Sequence, residues 1–194
     1  MLKKSTAFAL ICILILLVSS CGKNEPAFDS SVPVKVQVIM ESGDTFIIET
    51  APQYAPETCA NFLNLVNDGF YNGLTFHRVI DGFVAQGGDP KGDGTGGSGK
   101  PIKGEFAENG FTQNTLSHTK GVVSMARLGG DMDSATSQFF ICLDTVTSLD
   151  GKYAAFGTVT EGMEAVEKFL ETPRSSSGMP ETPIIIKEMK IIND

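Results

Sequence analysis

Phe76 to Asp89 reads FHRVIDGFVAQGGD, and this stretch decides the fold. It sets one arginine, Arg78, and one glutamine, Gln86, among apolar residues that favour β-strands. A second stretch, from Gly121 to Leu143, reads GVVSMARLGGDMDSATSQFFICL and places another glutamine next to two phenylalanines. Both stretches therefore predict short strands that carry isolated polar side chains.

The segments around these stretches predict further strands, two helices and Gly-rich connections. Alternating apolar and polar residues mark the first strand, and Pro56 opens a helix that Gly69 ends. A second helix is predicted over about residues 162–170. Strands are predicted over residues 34–38, 45–49, 75–80, 83–86, 122–125, 139–143, 154–160 and 184–191. This pattern alone indicates a mainly antiparallel barrel or sandwich.

Taken together, the two quoted stretches resemble the core of a cyclophilin-type peptidyl-prolyl cis-trans isomerase. The resemblance extends roughly from Val34 to Ile192 and rests on two long motifs that occur in order. It implies a mainly β fold, a closed eight-stranded antiparallel barrel capped by two α-helices, in a domain of residues 34–194. It also implies an enzyme that accelerates rotation about X–Pro bonds in polypeptides and needs neither a cofactor nor a metal.

Arg78 is the first candidate for the chemistry. From the pattern alone, an arginine on such a strand is more often outward-facing, and either solvated or salt-bridged. The resemblance instead implies that Arg78 is catalytic, together with Gln86 and Phe140. Guanidinium suits the reaction, because it is always charged, donates hydrogen bonds and does not give up its proton. A hydrogen bond donated to the prolyl nitrogen would draw the nitrogen lone pair out of amide resonance and lower the barrier to rotation.

Apolar residues near Arg78 are predicted to form a pocket for the proline ring. From their spacing alone, Phe83, Val84 and Leu149 fit an ordinary barrel core equally well. The resemblance implies that they line the pocket together with Phe140. It further implies substrate contacts from four more residues, one of them (Arg127) through its main chain: Ala126, Arg127, Gln138 and Tyr153.

Three positions depart from the family pattern. Val84 replaces a methionine found in many cyclophilins, while Ser148 and Tyr153 replace the tryptophan and the histidine of the best-known members. Tyrosine can still supply an apolar wall and a hydrogen-bonding tip. The missing tryptophan predicts weak binding of cyclosporin-type inhibitors. The changes at Ser148 and Tyr153 also leave an alternative open, a proline-peptide binding module or holdase chaperone with vestigial isomerase activity.

The first 20 residues resemble a secretory signal peptide of the lipoprotein type. Two lysines precede an apolar run of 12 residues, from Ala7 to Val18, which is too short for a confident membrane span. The following cleavage-site pattern, Val-Ser-Ser-Cys, predicts a lipid on Cys21, with residues 21–33 as a flexible tether. The alternative is an uncleaved N-terminal anchor. Both interpretations place the domain outside the cytoplasm, anchored to a membrane.

The charge balance and the cysteines indicate which partners and which disulfides are to be expected. Loss of residues 1–20 would remove Lys3 and Lys4, so that the formal net charge would change from −8 to −10. An acidic chain does not suit nucleic-acid binding. We expect a monomer, because no obvious exposed apolar stripe remains once the predicted core is assigned. Cys59 and Cys142 remain outside the signal and anchor. Two buried free thiols are favoured, although an oxidising compartment keeps a disulfide open.

Three further patterns predict no separate function. Residues 94–100 match a phosphate-binding loop, but Pro101 replaces its Ser/Thr, so we interpret them as a surface loop bordering the substrate groove. His77 and His118 lack the spacing of metal ligands, and His77 is interpreted as structural. No plausible His/Asp pair is expected near the serines of the second stretch, so acyl transfer is not predicted.

Overall fold

The computed structural model describes residues 29–192, and its strands close into one barrel. The order around the barrel is β1-β2-β7-β5-β6-β4-β3-β8, and all neighbouring strands are antiparallel. The strands are β1 (Lys35–Met40), β2 (Thr45–Thr50), β3 (Thr75–Val79), β4 (Val84–Asp89), β5 (Val122–Met125), β6 (Phe139–Cys142), β7 (Ala155–Glu161) and β8 (Ile184–Ile192). The predicted eight-stranded antiparallel barrel is therefore confirmed.

Two α-helices accompany the barrel within residues 29–192. Helix α1 (Pro56–Asn67) begins at the predicted proline and ends just before Gly69. Helix α2 (Met163–Glu167) is shorter than predicted, because the chain tightens into a 3₁₀-helix over Lys168–Glu171. The sequence therefore located the second helical segment correctly but not its final turn.

The interior of the barrel is filled by apolar side chains from every strand. Both helical segments contribute aromatic rings to this core. Phe62 of α1 lies with its ring centroid 5.8 Å from that of Phe139 and 5.0 Å from that of Phe156. Phe169, which follows α2, lies 4.8 Å from Phe76. The helices thus pack against the strands through one continuous apolar core.

A β-bulge at His77 turns Arg78 out of the barrel. In the pairing of β3 with β4, Phe76 lies opposite Gly87 and Arg78 lies opposite Gln86, so His77 is an extra residue. In a regular strand Phe76 and Arg78 would face the same side. The extra residue shifts the alternation, and the two side chains that enter the core are those of Phe76 and Val79. Arg78 is thereby directed to the outer face.

Residues 1–28 lie outside the described part of the chain, as do residues 193 and 194. The predicted signal peptide, the predicted lipid site Cys21 and most of the tether therefore fall outside it. Within residues 29–192, no helix is long and apolar enough to cross a membrane. Cys59 and Cys142 are free and buried, as the sequence favoured. Burial raises the pKa of each thiol to about 12, so both remain protonated.

Candidate active site

A row of side chains crosses four neighbouring strands on the outer face of the barrel. Arg78 lies opposite Gln86, Gln86 opposite Phe140, and Phe140 opposite Ser124. Directly opposed residues point to the same face of a sheet. Phe139, the chain neighbour of Phe140, points into the barrel core instead. Strand register alone therefore brings an arginine, a glutamine and a phenylalanine from three separate strands together.

A cavity of about 260 Å³ lies beside this row. It is lined by nine of the ten residues for which the sequence analysis proposed a catalytic or substrate-binding role: Arg78, Phe83, Val84, Gln86, Ala126, Arg127, Phe140, Leu149 and Tyr153. The apolar members belong to a small cluster that is separate from the barrel core. The alternative that Phe83, Val84 and Leu149 fill the barrel interior is therefore wrong.

One wall of the cavity is polar and held by directional hydrogen bonds. Nη1 of Arg78 donates to Oε1 of Gln86 over 3.2 Å, and Nε2 of Gln86 donates to Oε1 of Gln138 over 2.8 Å. Gln138 lies just beyond the cavity, where its Nε2 donates to the carbonyl oxygens of Gly94 and Gly96 over 3.0 and 2.8 Å. Within residues 29–192, Nη1 is the one guanidinium nitrogen of Arg78 with a protein acceptor. The other N–H groups remain for a ligand.

The opposite wall is aromatic. Phe140 is 4% exposed and stacks on the ring of His118 at 5.9 Å and 22°. Tyr153 meets Phe140 edge-on at 5.6 Å and 83°. The ring of Phe83 lies 5.8 Å from Cζ of Arg78, within the range of a cation–π contact. The cavity thus offers an apolar surface facing a cationic donor.

The side chain of Arg127 is held beside the cavity by aromatic and hydrogen-bond contacts. Its Cζ lies 4.9 Å from the ring centroid of Tyr153 and 5.1 Å from that of Phe106. Its Nε donates to the carbonyl oxygen of Lys152 over 3.0 Å. These contacts give the guanidinium a packing role that the sequence analysis did not anticipate. Substrate binding by the main chain of Arg127 stays a prediction.

Behind Phe140 the structure brings together an aspartate, a histidine and a serine. Oδ1 of Asp150 lies 2.8 Å from Nδ1 of His118, and Nε2 of His118 lies 3.0 Å from Oγ of Ser124. The expectation that no His/Asp pair accompanies Ser124 was therefore wrong. Because Ser124 is fully buried, a substrate cannot reach its hydroxyl, and the set does not support acyl transfer. Its physical effect is to hold His118 against Phe140.

The ionisation of this set follows from burial. Burial lowers the pKa of His118 more than the neighbouring Asp150 carboxylate raises it. Burial by itself would raise the pKa of Asp150. Hydrogen bonds from the backbone N–H of His118, the hydroxyl of Ser117 and the ring of His118 together lower that pKa. A neutral imidazole can then donate from Nδ1 to the carboxylate and accept from the Ser124 hydroxyl. The arrangement leaves both ring nitrogens satisfied.

His77 contrasts with His118. It is buried, and neither ring nitrogen has a hydrogen-bond partner within the described residues. Burial lowers the pKa of His77, and so does the nearby Arg78, while Asp89 and Asp93 act to raise it. No cluster of three or more His, Cys, Asp or Glu side chains in residues 29–192 could hold a metal ion.

A shallow groove of about 390 Å³ continues from the cavity. The two share Gln86, Ala126 and Arg127, and the Gly-rich segment 94–99 forms much of the groove's far side. The structure therefore places this segment where the sequence analysis expected a surface loop, bordering the candidate substrate groove. A peptide bound in the cavity could extend along it.

Three residues that support the site were missed by the sequence analysis. Asp89 ends β4 directly before the Gly-rich loop, a position typical of aspartates that accept hydrogen bonds from the following backbone. The sequence therefore contained a signal for the role of Asp89. His118 and Asp150 are 32 positions apart, and no local pattern indicates that they meet.

The comparisons with known proteins agree with this geometry. A family model described as "Cyclophilin type peptidyl-prolyl cis-trans isomerase/CLD" matches residues 35–191. Peptidyl-prolyl cis-trans isomerase B of Bacillus subtilis (strain 168) is 48% identical over 126 residues, which cover 65% of this chain and 83% of that protein. Peptidyl-prolyl cis-trans isomerase A of Dickeya dadantii (strain 3937) is 39% identical over 190 residues, covering 92% of this chain and 95% of that protein.

Solved structures give the same result. The crystal structure of a cyclophilin type peptidyl-prolyl cis-trans isomerase of Cryptosporidium parvum matches with a TM-score of 0.75 at 32% identity, covering 84% of this chain and 99% of that one. The same protein, crystallised in the presence of the dipeptide Ala-Pro, matches with a TM-score of 0.74. The chain belongs to the cyclophilin-type peptidyl-prolyl cis-trans isomerase family.

Proposed function

We propose that this peptidyl-prolyl cis-trans isomerase is held outside the cytoplasm by a lipid on Cys21 and assists the folding of exported proteins there. The observation that carries the enzymatic part is the cavity in which the guanidinium of Arg78 faces the aromatic wall around Phe140. A proline ring is apolar and compact, whereas the peptide bond beside it is polar. A site with one apolar and one cationic wall suits both parts of an X–Pro unit.

The reaction asks little of the protein beyond this geometry. The peptide bond has a rotational barrier of about 18–20 kcal/mol, and an X–Pro bond isomerises unaided in about 10–100 s. Bringing this time to about 10 ms takes roughly 10³–10⁴-fold acceleration, or about 4–5.5 kcal/mol. A hydrogen bond from Arg78 to the prolyl nitrogen stabilises the twisted amide more than the planar one. No covalent bond is made or broken, so the site requires no nucleophile.

Gln86 holds the guanidinium for this task. Its carbonyl oxygen accepts from Nη1 of Arg78 at 3.2 Å, and Gln138 orients the Gln86 amide. Phe140 and Leu149 exclude water from the proline ring, which strengthens an electrostatic contact at the edge of the cavity. We therefore assign catalysis to Arg78 with Gln86, which act on the amide, and to Phe140, which acts by holding the proline ring beside them. Substrate binding is assigned to the other residues of the cavity.

The activity is tested with the purified full-length chain in detergent, by NMR exchange on Ala-Pro and Leu-Pro peptides. We expect Arg78→Ala to lose most turnover while its melting temperature stays near that of the wild type. Arg174→Ala is the matched control. Nη1 of Arg174 donates to three carbonyl oxygens near the end of α2, away from the cavity, so its loss should lower stability and leave turnover intact.

Near-normal turnover in Arg78→Ala would overturn the mechanism. If the folded wild-type chain binds proline peptides without accelerating their isomerisation, the chain is a binding module or holdase instead. The departures from the family pattern at Ser148 and Tyr153 would then be tested first as the cause of the lost activity. Ser148 is exposed beside the cavity residue Leu149, so Ser148→Trp can rebuild an aromatic wall there.

The same substitution tests inhibitor binding. We expect weak cyclosporin binding in the wild type, because Ser148 offers little apolar surface. Ser148→Trp should tighten binding by more than Ser148→Ala does. Equal affinity of the two variants would show that the affinity is set elsewhere. Size-exclusion chromatography of the same samples tests the expected monomer.

Anchoring rests on the N-terminal sequence. A lipid-linked Cys21 with two or more acyl chains would anchor stably, whereas a single chain binds membranes only marginally. In a bacterial host we expect the chain to fractionate with membranes and to incorporate labelled palmitate. Cys21→Ser should abolish the label. Labelling that persists in this variant, or recovery of wild-type chain in the cytosol, would contradict the proposal.

A further inference from the structure

Asp89 is a buried carboxylate at the end of β4. It is 1% exposed, and its partners are backbone N–H groups of the loop that follows. Oδ1 accepts from the N–H of Lys91 over 2.8 Å, while Oδ2 accepts from the N–H groups of Asp93 and Gly94 over 3.2 and 2.6 Å. Hydrogen bonds to an ionised acceptor are stronger than neutral ones, so this carboxylate organises the loop.

The charge on Asp89 is maintained in its buried position. Burial by itself would raise the pKa of Asp89, but the backbone N–H groups of Lys91, Gly96 and Gly94 together lower it. His77 acts in the same direction. An isolated buried carboxylate would be costly, and here its lone pairs are satisfied by several donors.

The loop is packed closely around this carboxylate. A Cβ atom at Gly96 would collide with Oδ1 of Asp89, and one at Gly97 would collide with Oγ1 of Thr136. The glycines of segment 94–99 therefore allow the backbone to approach Asp89 on one side and Thr136 on the other. This accounts for the Gly-rich pattern that the sequence analysis compared with a phosphate-binding loop.

Hydrogen bonds through two amide side chains connect the loop to the catalytic arginine. The carbonyl oxygens of Gly94 and Gly96 both accept from Nε2 of Gln138, which determines the end of the Gln138 amide that faces the loop. Oε1 of Gln138 must then face Gln86 and accept from its Nε2. That in turn leaves Oε1 of Gln86 to accept from Arg78. The orientation of each amide thus depends on the one before it.

We propose that Asp89 is a positioning residue for Arg78, acting through the backbone of residues 91–96 and the amides of Gln138 and Gln86. Without the carboxylate, the loop carbonyls lose their fixed places, and the guanidinium loses the oriented acceptor that Oε1 of Gln86 provides. The inference rests on the proposed isomerase function, and it assigns Asp89 no contact with the substrate.

The test is Asp89→Asn in the full-length chain. The amide has nearly the shape of the carboxylate, but it lacks the charge and turns an NH₂ group toward backbone N–H donors. We expect kcat to fall between about 10- and 100-fold, because small displacements of catalytic groups have effects of this size. KM should change far less, since the apolar wall is untouched. The ¹⁵N–¹H signal of the Arg78 guanidinium should shift or broaden even without substrate.

Asp133→Asn is the matched control. Oδ1 of Asp133 also accepts from a loop backbone N–H, that of Gly104, at 2.9 Å, but it takes no part in the contacts that reach Arg78. We expect its kcat and its Arg78 signal to match those of the wild type. An equal fall in kcat for both variants would mean that any loosened loop has this effect, and would overturn the specific role of Asp89.

A double variant tests the route. If Asp89 acts through Gln138, then Asp89→Asn combined with Gln138→Leu should be no slower than Gln138→Leu alone. Independent effects that multiply would overturn the route. If Asp89→Asn does not fold, Gly96→Ala serves in its place, because its Cβ displaces the loop from Asp89 without removing the charge.

The inference fails if Asp89→Asn lowers the melting temperature yet leaves kcat and the Arg78 signal unchanged. Failure of the proposed function is a different result, namely a folded wild-type chain with no turnover. In that case the Arg78 signal still reports whether Asp89 positions the guanidinium.

Discussion

The two walls of the cavity are held in place by different physical means. The polar wall is a series of directional hydrogen bonds from Arg78 through Gln86 and Gln138 to a loop without regular secondary structure. The aromatic wall is held by packing, with Phe140 between His118 and Tyr153. Hydrogen bonds specify angles, whereas packing specifies shape and excludes water.

This difference separates the two parts of catalysis. The polar wall should act on the twisted amide and hence on kcat, while the aromatic wall should act on the proline ring and hence mainly on KM. The two walls meet at Phe83, whose ring lies 5.8 Å from Cζ of Arg78. Variants in the polar wall and in the aromatic wall can therefore test whether the first changes mainly kcat and the second mainly KM.

The largest effect should come from Arg78→Lys, which keeps the positive charge and removes the planar fork of donors. We expect kcat to fall about 10²–10³-fold, the usual effect of losing one preorganised donor, with little change in KM. Steady-state and single-turnover NMR measurements on a Leu-Pro peptide check this. A Lys variant with wild-type kcat would show that a positive charge alone is enough for catalysis. The orientation of the donors on the polar wall would then not matter.

A smaller effect is expected on the aromatic wall, where two adjacent phenylalanines provide a matched pair. Phe140→Leu should raise KM by about 10-fold, because part of the apolar surface facing the proline ring is lost. Phe139→Leu changes a fully buried side chain inside the barrel, so it should lower the melting temperature and leave KM unchanged. If both variants changed KM equally, the outer cluster and the barrel core would not be separate units.

The last prediction concerns stability rather than turnover, for which no change is expected, and it depends on pH and the two buried histidines. The pKa values of His77 and His118 are lowered by burial, so the unfolded chain binds protons that the folded chain does not. The free energy of unfolding should therefore fall as pH drops below about 6.5, by up to about 1.4 kcal/mol per pH unit for each histidine. Urea unfolding at pH 7.5, 6 and 5 measures this slope.

Two controls sharpen the pH prediction. His77→Leu retains only one buried imidazole, so its slope should be about half that of the wild type. Asp89 and Asp150 have lowered pKa values, so their contribution is lost only at lower pH, below about 4. Constant stability between pH 7.5 and 5, or a histidine that titrates above pH 6.5, would contradict the predicted neutral imidazoles.

Much of the fold could be predicted because local patterns and global structure agree. The predicted strand over residues 122–125 matches β5, and Pro56 opens α1 as expected. The predicted second helix was too long, because the chain switches at Lys168 to a 3₁₀ turn whose Phe169 packs on Phe76, and helix periodicity does not encode such a tertiary contact. The site residues were identified through a family resemblance, since periodicity alone could not separate an outer apolar cluster from a barrel core.

The sequence by itself determined the number of strands and their places along the chain, the acidic charge and the two motifs that carry the site residues. Only the tertiary structure decided which side of the barrel wall each side chain faces. The bulge at His77 directs Arg78 outward, whereas regular alternation from Phe76 would point it into the core. Contacts between the loop that ends at Asp150 and the segment before β5 bring Ser124, His118 and Asp150 together. Both outcomes depend on the pairing of strands and loops distant in sequence, which a local pattern of residues does not encode.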